Sequence, residues 1–365
     1  MYKRLKIRLY PTKEQEQVLQ QHVDGYRFAY NLCLEYKKHL WDYHKKSISG
    51  YEMQKELISI LKEVSFLSNL KVECIRQAGS DVDNTYQKFF KQKKGYPKFK
   101  SKKNRQSFTA NQAICVKKSK LSFFKQKINF KTSEKYRAKL QSNKIKQCTF
   151  IKDRTNKWFA TCVIEDDEIK ALPQTRGSVG VDLGLKHFLI TSDEEYIPNN
   201  KFSIRNQYKL RRLQRRFAKT KKGGKNREKL RLKIAKLYQK IINQREHFYH
   251  QVSNKLIREN QSITIETLKV ANMMKNSKLS RVISDVAWSS FTNMLEYKCN
   301  WYGRELTKVP SNYASSKICS CCGNKKEDLN LSDRTYNCNS CGISLDRDLN
   351  ASYNLKQFRE KFPLI

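Results

Sequence analysis

The sequence predicts an α+β protein of several domains. A short alternating strand, Lys3 to Tyr10, is separated by a long basic helical stretch from a β-rich segment, Ser107 to Glu165. A second mixture of strands and helices begins near Gly177. Close to the end, two Cys-x-x-Cys pairs stand just ahead of Asp346-Arg347-Asp348-Leu349-Asn350-Ala351.

In the first segment Leu5, Ile7 and Leu9 alternate with Lys6 and Arg8, the period of a half-buried strand. Pro11 ends it, and Thr12-x-x-Gln15 resembles a capping box that opens a helix. Helical spacing then runs to about Phe90, with Tyr26, Tyr30 and Cys33 on one stripe and Val82, Tyr86 and Phe89 on another. A small helical bundle is expected there. Lys91 to Lys103 is a charge run broken by Gly95-Tyr96-Pro97, so a loop or linker. Ala113–Val116, Leu121–Phe124, Ile128–Phe130, Ile145–Ile151 and Trp158–Ile164 are candidate strands, the last two joined by a turn at Asp153-Arg154-Thr155-Asn156. A helical block inserted between the first strand and the rest of a β-barrel explains this order.

From Gly177, Ser178–Gly184 and His187–Thr191 read as a hairpin. Ile204 to Tyr249 is helical and basic. Leu210, Leu213 and Phe217 form one stripe, Leu230, Ile234, Leu237 and Ile241 another, and Gly223-Gly224 separates two antiparallel helices. Ser262–Glu266 is a short strand, Trp288 to Tyr302 a helix with one apolar face, and Glu305–Val309 a further strand.

Lys+Arg number 75 against Asp+Glu 34, a net charge of +41 over 365 residues. Such an excess repels itself unless a polyanion joins the structure, and DNA or RNA is the natural one. A membrane surface is the weaker alternative. No apolar run approaches the ~18 residues of a span, and no leader or lipidation motif is recognisable, so a cytoplasmic, nucleoid-associated bacterial protein is expected. Hydrophobic residues make up 38% with 19 Tyr and 18 Phe, enough for real cores and against a disordered basic tail. Cys33, Cys74, Cys115, Cys148, Cys162 and Cys299 stand singly and read as reduced thiols.

Three acids stand out. Asp182 lies within a strand, flanked by Val181 and Leu183; Glu266 ends the strand holding Ile263 and Ile265; Asp348 opens the C-terminal helix. Buried carboxylates need a compensating cation. Meeting at one sheet edge, the three would bind two Mg²⁺ roughly 4 Å apart, one helping to generate the attacking hydroxide and the other stabilising the leaving 3′ oxygen. Each has a plainer reading: Asp182 as a turn residue before Gly184, Glu266 as an edge charge, Asp346 or Asp348 as an N-cap. The cysteine spacing, C-x₂-C-x₁₅-C-x₂-C through Cys319, Cys322, Cys338 and Cys341, is that of a structural four-thiolate zinc site with no open position for substrate. Gly323 and Gly342 follow the two pairs and free the backbone to turn its amides towards sulfur; Cys321 is a spare thiol.

These motifs together resemble the TnpB-type (OrfB) family encoded by bacterial insertion sequences, relatives of the type V CRISPR effectors. The resemblance spans nearly the whole chain. It is carried by Leu9-Tyr10-Pro11-Thr12-x-x-Gln15, Gly95-Tyr96-Pro97-Lys98-Phe99-Lys100, Gly180-Val181-Asp182-Leu183-Gly184 and Ile265-Glu266-Thr267-Leu268. Trp288 through Tyr297-Lys298, Trp301 and Gly303, then Cys319-Ser320-x-Cys322-Gly323 and Asp346-Arg347-Asp348-x-Asn350-Ala351, complete the ordered set.

The resemblance implies a β-barrel wedge domain (1–10 and 96–172) with a helical recognition domain (11–95) inserted. It further implies an RNase H-like, RuvC-type nuclease domain (173–312 and 343–365) carrying a zinc ribbon (313–342). Its catalytic acids map onto Asp182, Glu266 and Asp348, the last preferred over Asp346 because it precedes the x-Asn-Ala step. A guide RNA and target double-stranded DNA are the implied partners, with a short flanking motif read by protein and the rest by base pairing. Neither a membrane nor a small-molecule substrate is expected. Ser352 and Lys317 depart mildly from the family pattern without touching a proposed ligand. The leading reading is therefore an RNA-guided, Mg²⁺-dependent DNA endonuclease of a transposable element. A guided binding regulator without cleavage and a direct transposase are the rivals.

Overall fold

A computed structural model of the chain describes residues 2–111, 114–166, 171–330 and 333–361, and divides into two compact units, Met1–Glu168 and Ile169–Ile365. Among the described residues no helix is long and apolar enough to cross a membrane.

In the first unit, β1 (Tyr2–Tyr10) stops at Pro11 and Thr12 starts α1 (Lys13–His44). The capping box is formed: the Gln15 N–H donates to Thr12 Oγ1 and the Thr12 N–H to Gln15 Oε1. Ser49 and Glu52 make a second box at the start of α2 (Gly50–Glu63), followed by α3 (Ser65–Ser68) and α4 (Val72–Gln92). Buried Tyr26, Tyr30 and Cys33 of α1 and Ile75, Ala78, Val82 and Tyr86 of α4 belong to one core, as the helical stripes required.

There follow β2 (Gln106–Ala110), β3 (Cys115–Lys117), β4 (Lys120–Phe123), β5 (Gln126–Lys131), α5 (Glu134–Ser142), β6 (Ile145–Lys152) and β7 (Trp158–Glu165). The strands form one antiparallel sheet in the order β2-β6-β7-β1-β5-β4-β3. The first strand of the chain is thus central, between strands that come after the helices. The inserted helical block follows from that register. The expected barrel is not closed, since β2 and β3 are the two edges of the sheet and do not pair with each other among the described residues. β2 and α5 were not expected. Ala113, in the expected strand Ala113–Val116, lies outside the described residues, as do 362–365 of the expected nuclease segment. The turn at Asp153 is built by its own carboxylate, which accepts from the N–H groups of Thr155 and Lys157.

The second unit comprises β8 (Ser178–Leu183), β9 (His187–Thr191), β10 (Tyr196–Pro198), α6 (Phe202–Arg205), α7 (Gln207–Ala218), α8 (Lys225–Glu259) and β11 (Ser262–Glu266). Then come α9 (Val270–Met273), α10 (Ser280–Val286), α11 (Trp288–Tyr302), β12 (Glu305–Val309), β13 (Thr335–Asn337), β14 (Ser344–Asp346) and α12 (Arg347–Lys361). Five strands form a mixed sheet, β10-β9-β8-β11-β12, antiparallel from β10 to β8 and parallel from β8 to β12. Val179, Val181 and Leu183 share a core with Tyr249 and Val252 of α8 and Phe291 of α11. Their neighbours Gly180 and Asp182 face the other side of the sheet, where α12 lies. A Cβ on Gly180 would fall 2.0 Å from the Ser352 carbonyl oxygen. β13 and β14 make a separate two-stranded ribbon.

Candidate active site and metal centre

Asp182 and Glu266 are brought together by strand register. β8 and β11 run parallel with Val181 opposite Ile265, so the next residue of each is an acid at the same edge. Asp348 arrives from the first turn of α12, the helix laid against β8. All three side chains are half-buried. Burial first, and then the charges of Glu266 and Asp348, hold the Asp182 carboxyl well above the usual carboxylate range; the Arg347 guanidinium opposes them. Glu266 is pushed up to about 7, again by burial first. A hydrogen bond from the Leu183 backbone pulls against that shift and Asp348 adds to it. Glu266 and Asp348 raise the proton affinity of Asp182, and Asp348 that of Glu266, so with one guanidinium in reach this edge is short of positive charge. Divalent cations bound through oxygen suit that deficit.

Asp346 is differently employed. Its Oδ1 accepts from the backbone N–H groups of Asp348 (2.9 Å) and Leu349 (3.1 Å), so it caps α12. Arg347 donates to the carbonyls of Asn330 (2.8 Å) and Asp333, which ties the ribbon loop to the acidic edge. Tyr196 on β10 stands at the same rim: burial and then the charges of Asp346, Glu194 and Asp348 raise its phenol above the ordinary value. Sequence reasoning gave Arg347 and Tyr196 no role. Arg347 sits between the two acids of the motif, which was a signal; Tyr196 offered none.

The four cysteines converge. The sulfurs of Cys319, Cys322, Cys338 and Cys341 all lie within 4.8 Å of one another, with Cys319–Cys341 and Cys322–Cys338 at 3.6 Å. Among the described residues this is the one group of that tightness; the three carboxylates interact electrostatically but are not drawn together to the same degree.

The two knuckles are alike. The Gly323 N–H donates to the Cys319 carbonyl and the Gly342 N–H to that of Cys338. Both glycines have positive φ, +77° and +75°, which a side chain would resist. The Cys341 and Ser340 amides point at the Cys338 sulfur and pull its thiol down to about 6. Burial pushes the Cys319 thiol up, against the amides of Cys322 and Cys321. Preorganised amides around four sulfurs fit a tetrahedral zinc ion. Beneath them Tyr336 is fully buried, its hydroxyl donating to the carbonyls of Lys317 and Asn324.

The first knuckle is fastened to α12. Asn350 accepts from the Ser320 N–H (2.9 Å) and donates to the Ile318 carbonyl (2.7 Å). Asn354 donates to the Ser315 and Ile318 carbonyls, and Gln357 to that of Ser320. These three residues lie on one face of the helix that carries Asp348. The metal module and the acidic edge therefore share a rigid element.

Three family models match the chain: one described as a probable transposase (OrfB IS605) over residues 161–277, the Cas12f1-like TNB domain over 288–355, and a helix-turn-helix domain over 1–46. The last segment folds here as β1 followed by the single helix α1. A protein of Streptomyces pristinaespiralis, provisionally designated an RNA-guided DNA endonuclease, is 34% identical over 96% of this chain and 87% of its own length. One of Escherichia coli K12 with the same designation, InsQ, is 26% identical over 96% and 90%. In fold the chain is similar to Cas12f1 from a cryo-EM structure of a Cas12f1–sgRNA–target DNA complex. The TM-score is 0.61, with 16% identity over 94% of this chain and 83% of that one.

Proposed function

Because this chain belongs to the TnpB-type (OrfB) family, we propose that it is an RNA-guided DNA endonuclease of a transposable element. Its partners are a guide RNA and target double-stranded DNA. The reading is carried by the acidic edge, where the charges of Glu266 and Asp348 raise the proton affinity of Asp182 beside Arg347. These three carboxylates would hold two Mg²⁺. Bound there, the ions supply the Lewis-acid chemistry of RuvC-type phosphodiester hydrolysis, activating water and neutralising charge at the leaving oxygen.

The protein's own residues do the rest. Strand register fixes Asp182 and Glu266. The cap at Asp346 and the docking of α12 on Gly180 fix Asp348. The four cysteines would hold a structural zinc ion, and Asn350, Asn354 and Gln357 connect that module to the helix. The chain divides functionally as a wedge region (1–10 and 96–172), a recognition region (11–95), a nuclease region (173–312 and 343–365) and the ribbon (313–342).

The test is Asp182→Ala. With guide RNA and Mg²⁺ it should lose cleavage of target DNA by ~10³-fold or more, ~4 kcal/mol in activation free energy, while binding RNA and DNA as the parent does. Full cleavage by the variant would sink the assignment. An uncut target with the parent protein would favour a guided regulator, and joining of DNA ends without RNA a transposase.

A further inference from the structure

The Gly95–Lys100 motif takes no part in the chemistry above. It lies in the first unit as a loop, tied to α1 by Asn31, which accepts from the Lys100 N–H (2.7 Å) and donates to the Lys100 carbonyl (2.9 Å). So anchored, Tyr96 stands edge-on to Phe89 at 5.3 Å, and its hydroxyl meets that of Tyr86 at 3.2 Å. Between this loop, the end of α1 and the end of α4 is a cleft of about 320 Å³. Its walls are aromatic and turned to solvent: Trp41 is 56% exposed, Phe90 72% and Tyr96 48%.

A chain that buries Phe108, Phe123 and Phe150 completely leaves these rings together in one place, as interaction sites do. The rim decides the ligand. Lys38 and Lys46 line it with Asp42, and neither lysine has a carboxylate partner among the described residues. Lys37 is already committed to Asp83 at 2.7 Å. Lys38 sits over the rings of Tyr96 and Phe99, at 5.4 and 4.9 Å. Over Tyr96 and Phe99 the position an external cation would take is therefore occupied by the protein's own ammonium, and a purely apolar ligand would have no use for it. A flat ring joined to an anion satisfies both halves of the site.

We propose that this cleft is a slot for an unpaired nucleobase of a single-stranded nucleic acid, stacked against Trp41, Phe90 and Tyr96, with its phosphates on Lys38 and Lys46. Stacking of this kind tolerates any base, because every base has a π-face. The inference rests on the chain handling nucleic acid but not on its nuclease chemistry, so it is measured as binding, without Mg²⁺. The zinc-loaded full chain is titrated into short single-stranded RNA and DNA oligonucleotides carrying 2-aminopurine, and into a duplex of the same sequence.

The parent should quench 2-aminopurine in single strands. Trp41→Ala and Tyr96→Ala should lose the quench and bind single strands about 10-fold more weakly, with duplex affinity unchanged. Trp41→Phe should behave as the parent, and the unchanged duplex affinity of the alanine variants excludes misfolding as the cause. A greater loss with RNA assigns the slot to an RNA segment, a greater loss with DNA to a displaced strand. Unaltered quench and affinity in the alanine variants, or equal losses on duplex, would overturn the proposal and leave the cleavage reading untouched.

Discussion

His22 shows how much one buried residue can dictate. It is fully buried, its Nδ1 faces the Val18 carbonyl at 2.8 Å, and the Lys71 N–H donates to Nε2 at 3.1 Å. Those two partners assign the neutral Nδ1–H tautomer, and Phe108, Phe123 and Phe124 surround the ring at 5.1–5.2 Å. Burial lowers its pKa from the ordinary 6.5. The unfolded chain therefore takes up a proton first as pH falls. This contribution to stability is complete above about pH 6.5 and is lost as pH drops from there towards the folded value, by at most ~1.4 kcal/mol per pH unit. His22→Gln should flatten that part of the curve of unfolding free energy in urea against pH; an unchanged slope would mean that other groups set it. At the acidic edge, the two acids of the Asp346-Arg347-Asp348 motif should separate cleanly. Asp346→Ala removes a helix cap and should cost ~1 kcal/mol of stability with cleavage weakened but present. Asp348→Asn should leave the melting temperature near that of the parent and abolish nicking. The reverse pattern would make Asp346 the ligand.

Packing of elements determines where those residues stand. Gly180 is the contact point of β8 with α12. A methyl group there would meet backbone atoms, the Ser352 oxygen at 2.0 Å and the Lys356 nitrogen at 2.5 Å, which no rotamer change can relieve. Gly180→Ala should cost about 3 kcal/mol or more and shift Asp348 away from the sheet edge. The measurable result is a lowered melting temperature together with loss of cleavage at retained DNA binding. A parent-like melt would mean that the helix stands off the strand. This contact was not legible in the sequence. The motif residues were, as were β11, where Ile263 and Ile265 alternate with polar residues, the short strand β12, and the split of α7 from α8 at the glycine pair. Those features follow from local periodicity and turn chemistry. β2 was missed because Gln106-Ser107-Phe108-Thr109-Ala110 hides two core residues, Phe108 and Ala110, among polar ones. α5 was missed because Leu140 is its one buried residue, too little for a helical stripe. The openness of the first sheet depends on edge strands far apart in sequence. The latch of Asn350 and Asn354 onto the zinc knuckle likewise needs coordinates, since an Asn in a helix carries no mark of what it bonds.

Charge acts over the whole molecule, and its arrangement is more telling than its sum of +41. On α8, Lys229, Lys233, Lys236 and Lys240 are all exposed at steps of four, three and four, one stripe along the helix. On α7, Arg211, Arg212, Arg215 and Arg216 are exposed too, while Leu210, Leu213 and Phe217 are half-buried on the opposite side. None of these eight cations has an ion pair with a carboxylate among the described residues. A solvated helix face normally intersperses acids; here Glu228 with Arg231 is the i,i+3 pair within α8. The stripe of lysines spans roughly 16 Å at 1.5 Å per residue, several phosphate spacings of a nucleic acid backbone. If these two helices track phosphates, neutralising ~8 of them releases enough counterions for log K to fall against log salt with a slope of about −7 on duplex. Replacing the four stripe lysines of α8 by Gln should make that slope shallower by about 3 to 4. Cleavage by the altered protein at low salt should persist, because the acidic edge is untouched. A nearly flat salt response in the parent, or a slope the four substitutions leave unchanged, would place the stripe against solvent and require the charge to be used elsewhere on the chain.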